Sequence, residues 1–443
     1  MRFAKLSLAA IMAMGVSAFA DVQNIKVSGD AKLYYSTDDA GNVDLFDKAS
    51  SMGQAAVNIA VSADLANGVA GKISFVALST LGLENNLVSD VWAGNDGGTS
   101  TQWWANEAWL AKTFGKTTVK VGRQELDTPL AFSEKWNIAA NSFDAAVVLN
   151  QDIPKTTLVA AWVGKGNGTG NGDVVRGGSY GKFNADMFSA YGSAIDDTLG
   201  NTINTNAAGA YAIAAITTAI PMTTAQIWYY NVNNIAKALW LQADVSPVKG
   251  LTIGAQYANI DLDNNLYVGN DVTDNVDSSS AWAVKVGYAM GDLSVSAAYS
   301  STDKDGVVDI ANTATGLNGS QSKLYTEAWW SYGYVSAPAT DAYTLTAEYS
   351  LKDIADFGAY YTHTSYDHTA KNADAVAFIR DNDKWSTNKD VDMDEFTLTA
   401  SKKLGALDAT LAYIYTDADD QNLDANGNGQ SYNTVQVYLT YNF

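Results

Sequence analysis

The sequence predicts an all-β protein: a transmembrane antiparallel β-barrel of about 18 strands, with short periplasmic turns and long extracellular loops. Three observations predict it. Apolar and polar residues alternate in segment after segment. Short links between these segments alternate with long ones. No apolar run of about 18 residues follows the first twenty, so no helix is long enough to span a bilayer.

The N-terminus is read first. Arg2 and Lys5 form a short basic start, Leu6 to Val16 is apolar, and Ser17-Ala18-Phe19-Ala20 offers an A-x-A site before Asp21. This is the layout of a secretory signal peptide over residues 1–20, leaving 21–443 for the barrel. Its removal takes two bases and no acids. That leaves 25 basic side chains against 48 acidic ones, a formal charge of −23. Such acidity argues against nucleic acid as a partner. There is no Cys, so neither disulfides nor thiolate metal sites are available.

Period-two segments follow in order. Ile25, Val27, Gly29, Ala31, Leu33 and Tyr35 share one face of the first, with Lys26, Ser28, Asp30 and Lys32 on the other. Val57 to Leu65 alternates in the same way, then turns at Ala66-Asn67-Gly68 into Ile73-Phe75-Ala77. Leu251–Tyr257, Trp282–Tyr288, Leu293–Tyr299 and Leu407–Tyr415 repeat the pattern. Short turns fall near 66–68, 115–117, 151–155, 220–222, 246–250, 290–292, 352–355 and 404–406, separated by longer polar stretches and one tight link at Asn233-Asn234. Eight turns and nine outer links join 18 strands. Pro154, Pro221 and Pro247 lie in turns, and Pro129 and Pro338 in loops, so none interrupts a ladder.

A sheet crosses hydrocarbon only if every backbone amide is bonded, which requires closure. The apolar face then meets lipid and the polar face lines a lumen. Tyr35, Tyr257, Tyr288, Tyr299, Tyr349, Tyr415 and Tyr441 end apolar rows, as an interfacial girdle requires. The polar rows carry Lys32, Lys72, Lys120, Lys285 and Lys403 with Asp244, Glu348 and Asp408. In a barrel of 16–18 strands this is a solvated wall that permits diffusion of hydrophilic solutes.

The third long link follows Val119-Lys120-Val121-Gly122-Arg123-Gln124 and reads Glu125-Leu126-Asp127-Thr128-Pro129-Leu130, then Glu134-Lys135-Trp136. VGRQELDTPL followed by NSFDAAVVLN resembles the third-loop region of OprD-like (Opr family) major outer-membrane porins of Gram-negative bacteria. The resemblance implies an outer-membrane porin whose third loop, about 125–141, folds into the lumen. It implies constriction residues at Glu125, Asp127, Glu134 and Lys135, faced by Lys120 and Arg123. By alternation Arg123 points with Val121, so a lumen role for it needs a local bulge. The resemblance further implies a homotrimer, contact with outer-membrane lipid and lipopolysaccharide, and insertion by the barrel-assembly machinery.

Most acid lies in outer loops: Asp261, Asp263, Asp271, Asp274 and Asp277 in one, Asp381, Asp383, Asp390, Asp392 and Asp394 in another. Acid at the mouth concentrates cations within a screening length of about 8 Å, so weak cation preference is expected. Asp424-Ala425-Asn426-Gly427-Asn428-Gly429 opens like a calcium loop, but the twelfth position is Val435 where a bidentate Glu is needed. No cofactor is expected; calcium between the other acidic loops is the one metal alternative.

Two further function classes match parts of the sequence. Tyr361-Thr362-His363-Thr364-Ser365 resembles the Y-T-H-x-S motif of outer-membrane phospholipases, in which the His activates the Ser. Those barrels are smaller, and their Asn-Gly is Tyr366-Asp367 here. The third class is a barrel-anchored adhesion or structural envelope protein. The chain ends on Val435-Gln436-Val437-Tyr438-Leu439-Thr440-Tyr441-Asn442-Phe443. This last strand is expected to pair with the first, and Tyr441 and Phe443 resemble the C-terminal assembly signal of outer-membrane barrels.

Overall fold

A computed structural model describes residues 22–40, 43–88, 101–136, 138–167, 209–232, 236–262, 278–306, 308–314, 320–367, 390–418 and 431–443, with the pairs 189–190, 195–196 and 202–203. The signal peptide, the acidic residues at 263–277 and 381–383, and the calcium-like loop at 424–429 lie outside the described residues.

Eighteen described strands build the barrel wall. They are β1 (Gln23–Asp38), β2 (Ser51–Leu65), β3 (Val69–Ser79), β4 (Gln102–Phe114), β5 (Thr117–Gln124) and β6 (Phe143–Asn150). Then come β7 (Thr156–Gly166), β8 (Ala210–Thr217), β9 (Thr223–Val232), β10 (Ala236–Val245), β11 (Leu251–Leu262) and β12 (Ser279–Met290). The last are β13 (Leu293–Thr302), β14 (Thr340–Leu351), β15 (Ala355–Tyr366), β16 (Val391–Leu404), β17 (Leu407–Ala418) and β18 (Tyr432–Asn442). Each pairs antiparallel with its chain neighbour, and β1 pairs with β18 from Asp30↔Asn442 to Asp38↔Thr434. No edge remains, so the backbone is satisfied at membrane depth.

The eight short turns fall where expected, and their chemistry is local. Gly68, Gly115, Gly250, Gly291 and Gly405 have positive φ, which a residue without a Cβ adopts readily.

Register then assigns every side chain to one of two faces. Val57, Phe75, Leu110, Ile213, Ile253, Val284, Leu345, Leu398 and Leu411 stand exposed on one. The other carries Asn58, Lys72, Gln226, Gln242, Gln256, Thr344, Thr362 and Gln436, all on alternate positions of the same strands. The exposed apolar band is favourable only in contact with lipid, and the polar face only around water or bonded loops. The lumen is therefore the polar side. Two long loops pack into it.

Candidate pore constriction

Loop L3 (residues 125–142, between β5 and β6) leaves the wall at Gln124, whose amide donates to the Ala145 carbonyl over 3.0 Å. Thr128 and Pro129 then turn the chain: the Thr128 hydroxyl donates to the Ala131 carbonyl over 2.7 Å, and the Ser133 amide to the Leu126 carbonyl over 2.8 Å. This compact hairpin presents Leu130, which is buried among Trp228, Trp240 and Ala258 on the inner face of β9–β11. At its other end, Ile138 and Ala139 pack on Tyr34, Val76, Leu78 and Trp104 of β1, β3 and β4. L3 thus reaches between opposite walls.

Loop L7 (residues 303–339, between β13 and β14) has no inward role in the expectations above. Its described parts enter the lumen too. Val308, Ile310 and Leu324 join the cluster around Trp240, and Tyr334 and Ala337 pack on Tyr366 and Met393. L7 is stitched to L3 through Asn312. The Asn312 side chain accepts from the Phe132 amide at 3.0 Å, donates to the Phe132 carbonyl at 2.9 Å and donates to the Glu134 carboxylate at 3.0 Å. Lys323 pairs with Asp127 across the same junction. Tyr325 donates to Asp244 on β10 at 2.7 Å, under the Lys285 ammonium, which lies 4.4 Å above its ring. Gly254 makes room for this, since a Cβ there would stand 2.5 Å from the Tyr325 hydroxyl.

A second anchor is Glu395 on β16, which is 1% exposed. Its carboxylate accepts the successive amides of Trp329, Trp330 and Ser331 at 3.0, 3.1 and 2.6 Å. Three donors to one ion are enough to hold a charge out of water.

The candidate charges divide into those on lumen-facing positions of the wall or on L3 and those the fold places elsewhere. On the β1–β5 wall Lys32 lies 3.9 Å from Asp30, and Lys72 pairs with Glu107. Lys120 sits 4.3 Å above the Trp109 ring beside that pair. Within L3, Lys135 lies 3.4 Å from Glu125. Across the barrel, Glu348 accepts from Tyr360 at 2.9 Å, and Lys403 lies 3.9 Å from Asp408. Two candidates stand elsewhere. Glu134 is buried in the L3–L7 junction, where Asn312 and the Asn141 side chain hold its residue, so it fastens the loops instead of facing solute. Arg123 keeps the alternation of β5: it pairs with Asp144 over 2.8 and 3.2 Å, on the face of Val121 and Ala146. The ladder runs through this pair in register, so Arg123 is not turned toward Lys120.

L7 could have been suspected from its composition. Glu327-Ala328-Trp329-Trp330-Ser331-Tyr332-Gly333-Tyr334-Val335 is too aromatic for a loop left in water. It holds one titratable group of note. Burial pushes the Glu327 carboxyl up to about 8, against the Ser322 amide that donates to it at 2.6 Å. The undocked carboxyl ionises near pH 4, while the docked one keeps its proton to about 8. Docking of L7 is therefore strongest in acid and weakens as pH rises through that window. The protection factors of the amides of residues 320–336, corrected for the base-catalysed rise of intrinsic exchange, should be lower at pH 8.5 than at pH 5, and Glu327→Gln should flatten the difference. Equal pH dependence in the variant would assign it to another group.

Tyr361, His363 and Ser365 lie on the lipid side of β15, and Thr362 and Thr364 on the lumen side. His363 Nδ1 is 2.9 Å from Asp394 and Tyr361 donates to the same carboxylate at 2.5 Å. Among the described residues no hydrogen bond joins Ser365 to His363, so the nucleophile–base contact of a hydrolase is not formed.

A closed barrel with an apolar outer band and a lumen narrowed by two inward loops is the architecture of a membrane channel. The chain belongs to the Gram-negative porin family, whose model matches residues 7–326. It is accordingly an outer-membrane channel for small solutes. Among solved structures it is similar to OprD of Pseudomonas aeruginosa, at 12% identity and a TM-score of 0.66, with 95% of each chain covered. It is similar to OpdK of the same organism, solved with vanillate, at 11% identity and 0.66, covering 95% of this chain and 98% of that one. OccAB3 of Acinetobacter baumannii gives 13% and 0.66, with 95% and 99% covered. These likenesses are of fold. A comparison with curated proteins gives no match.

Proposed function

We propose that the protein is a general-diffusion porin, through which ions and small hydrophilic solutes pass a constriction formed jointly by L3 and L7. The observation that carries this is the L3–L7 junction: both loops are fastened inside the barrel by buried bonds, yet charged side chains remain along the wall beside them. The constriction residues we assign are Lys120, Glu125, Asp127 and Lys135, with Lys323 from L7. Lys32, Lys72, Asp244, Lys285, Glu348 and Lys403 form the solvated wall.

Weak cation preference follows from charge. Lys32, Lys72 and Lys135 each stand beside a carboxylate, so the constriction adds little net positive field. The acidic surplus of the whole chain then sets the sign. A tenfold KCl gradient across a planar bilayer should give a reversal potential of cation-preferring sign that shrinks at high salt. A reversal of anion-preferring sign would refute the preference while leaving the pore.

The same proposal includes export by a cleaved signal peptide, insertion by the barrel-assembly machinery, a homotrimer and a belt of lipid and lipopolysaccharide. The apolar outer face and the paired C-terminal strand support a lipid belt and a barrel-type insertion. The first twenty residues support the export.

A further inference from the structure

One region of the lumen is lined by rings instead of charges. Beside the L3–L7 junction, a cleft of about 360 Å³ is lined by Trp136 of L3, Trp329, Trp330 and Tyr332 of L7, and Tyr438 of β18. It adjoins a smaller space that shares Trp136 and Tyr438 and reaches Lys32 and Lys135. The rings form a series. Tyr34 and Tyr438 have centroids 4.9 Å apart, Trp136 and Tyr332 5.0 Å, Trp136 and Trp330 6.1 Å. Trp136, Trp330, Tyr332 and Tyr438 are only half-buried, so ring surface faces the cleft. Ring surface left open to water in this way is stabilised by a solute that covers it.

The chemistry of the lining selects the solute. No carboxylate lines either space. The two ammonium groups are already paired, Lys32 with Asp30 and Lys135 with Glu125, so a charged solute gains little there. What remains polar is neutral: the Gln321 amide and the Thr410 and Thr440 hydroxyls. A pyranose presents a flat C–H face to a ring and hydroxyls at its rim to such groups. The volume admits one or two such rings. We infer that this aromatic cleft is a stacking subsite at which neutral sugars pause during passage through the channel.

The inference rests on the channel reading, and one experiment separates the two. Purified full-length protein in a planar bilayer is probed with maltose, with sorbitol as a ring-free polyol and with benzoate as a ring-bearing anion. The expected result is a current reduction by maltose that saturates, none of that kind by sorbitol, and weaker block by benzoate. Trp136→Ala and Trp330→Ala should each raise the half-blocking concentration of maltose roughly three- to tenfold, and Trp136→Phe should keep it within about twofold of wild type. Wild-type responses alone decide the matter if an alanine variant does not assemble. Equal, non-saturating effects of maltose and sorbitol overturn the subsite. Stronger block by benzoate that is lost in Lys135→Gln overturns it in favour of an anion site. Silent bilayers containing folded protein overturn the channel reading itself.

Discussion

Glu395→Ala should widen the channel. In the native protein this carboxylate closes a ring of amides at Trp329, Trp330 and Ser331, and Thr397 adds a hydroxyl at 3.1 Å. Alanine leaves three amides of L7 without their acceptor in a buried site. Charge-assisted bonds contribute about 1.5–3 kcal/mol each, so the loss is roughly 4 kcal/mol or more. That is enough to turn a dominant docked loop into a minor state. With L7 released, only L3 narrows an 18-strand lumen, and single-channel conductance should rise with larger open-state noise. The barrel itself is expected to stay folded, because the β15–β16 and β16–β17 ladders are unbroken. Unchanged conductance in the variant would mean that Asn312, Lys323 and Tyr325 hold L7 without the Glu395 anchor. Asn312→Ala added to Glu395→Ala tests that directly.

Gly29→Val should block barrel closure. The β1–β18 seam ends on a pair of exchanged bonds, the Gly29 amide to the Phe443 carbonyl at 2.9 Å and the Phe443 amide back to the Gly29 carbonyl at 3.0 Å. A Cβ at position 29 would lie 2.2 Å from the Asn58 carbonyl and 2.7 Å from the Phe443 ring. Backbone on one side leaves no room to yield. Overpacking of this kind costs about 1–3 kcal/mol, and it falls where the last strand must find the first. Deleting Phe443 removes both bonds and the ring that covers Gly29. Both changes should lower the amount of heat-stable folded barrel while leaving the conductance of any surviving channels unaltered. Normal folded levels of the truncated chain would show that Tyr441 suffices for the seam and for assembly.

Much of the wall was legible beforehand, and the reason is its period. Lys32, Lys72, Asp244, Lys285, Glu348 and Lys403 share the inner face because register moves every side chain together. Counting residues from a turn is then enough. Arg123 illustrates the limit from the other side. Alternation pointed it outward, and the resemblance pointed it inward. Its pair with Asp144 follows the alternation.

The loops are a different matter. Asn312 meets Phe132 across 180 positions of chain, and Leu130 meets the Tyr230 hydroxyl across 100. Neither loop has a repeating pattern from which such contacts could be counted. Glu134 was expected at the constriction and is a buried fastening between the loops. L7 read as one more extracellular stretch, and its described parts pack against the inner wall of the barrel.

By itself, the sequence determined the two faces of the wall, the number of strands, the turns and the seam, because each follows from a two-residue period or a local turn. Only the tertiary structure decided what fills the lumen. L3 and L7 are held there by two buried groups, Asn312 and Glu395, and by the wall carboxylate Asp244, which accept or donate to backbone and side chains far away in sequence. Such bonds exist only once the barrel has closed around them.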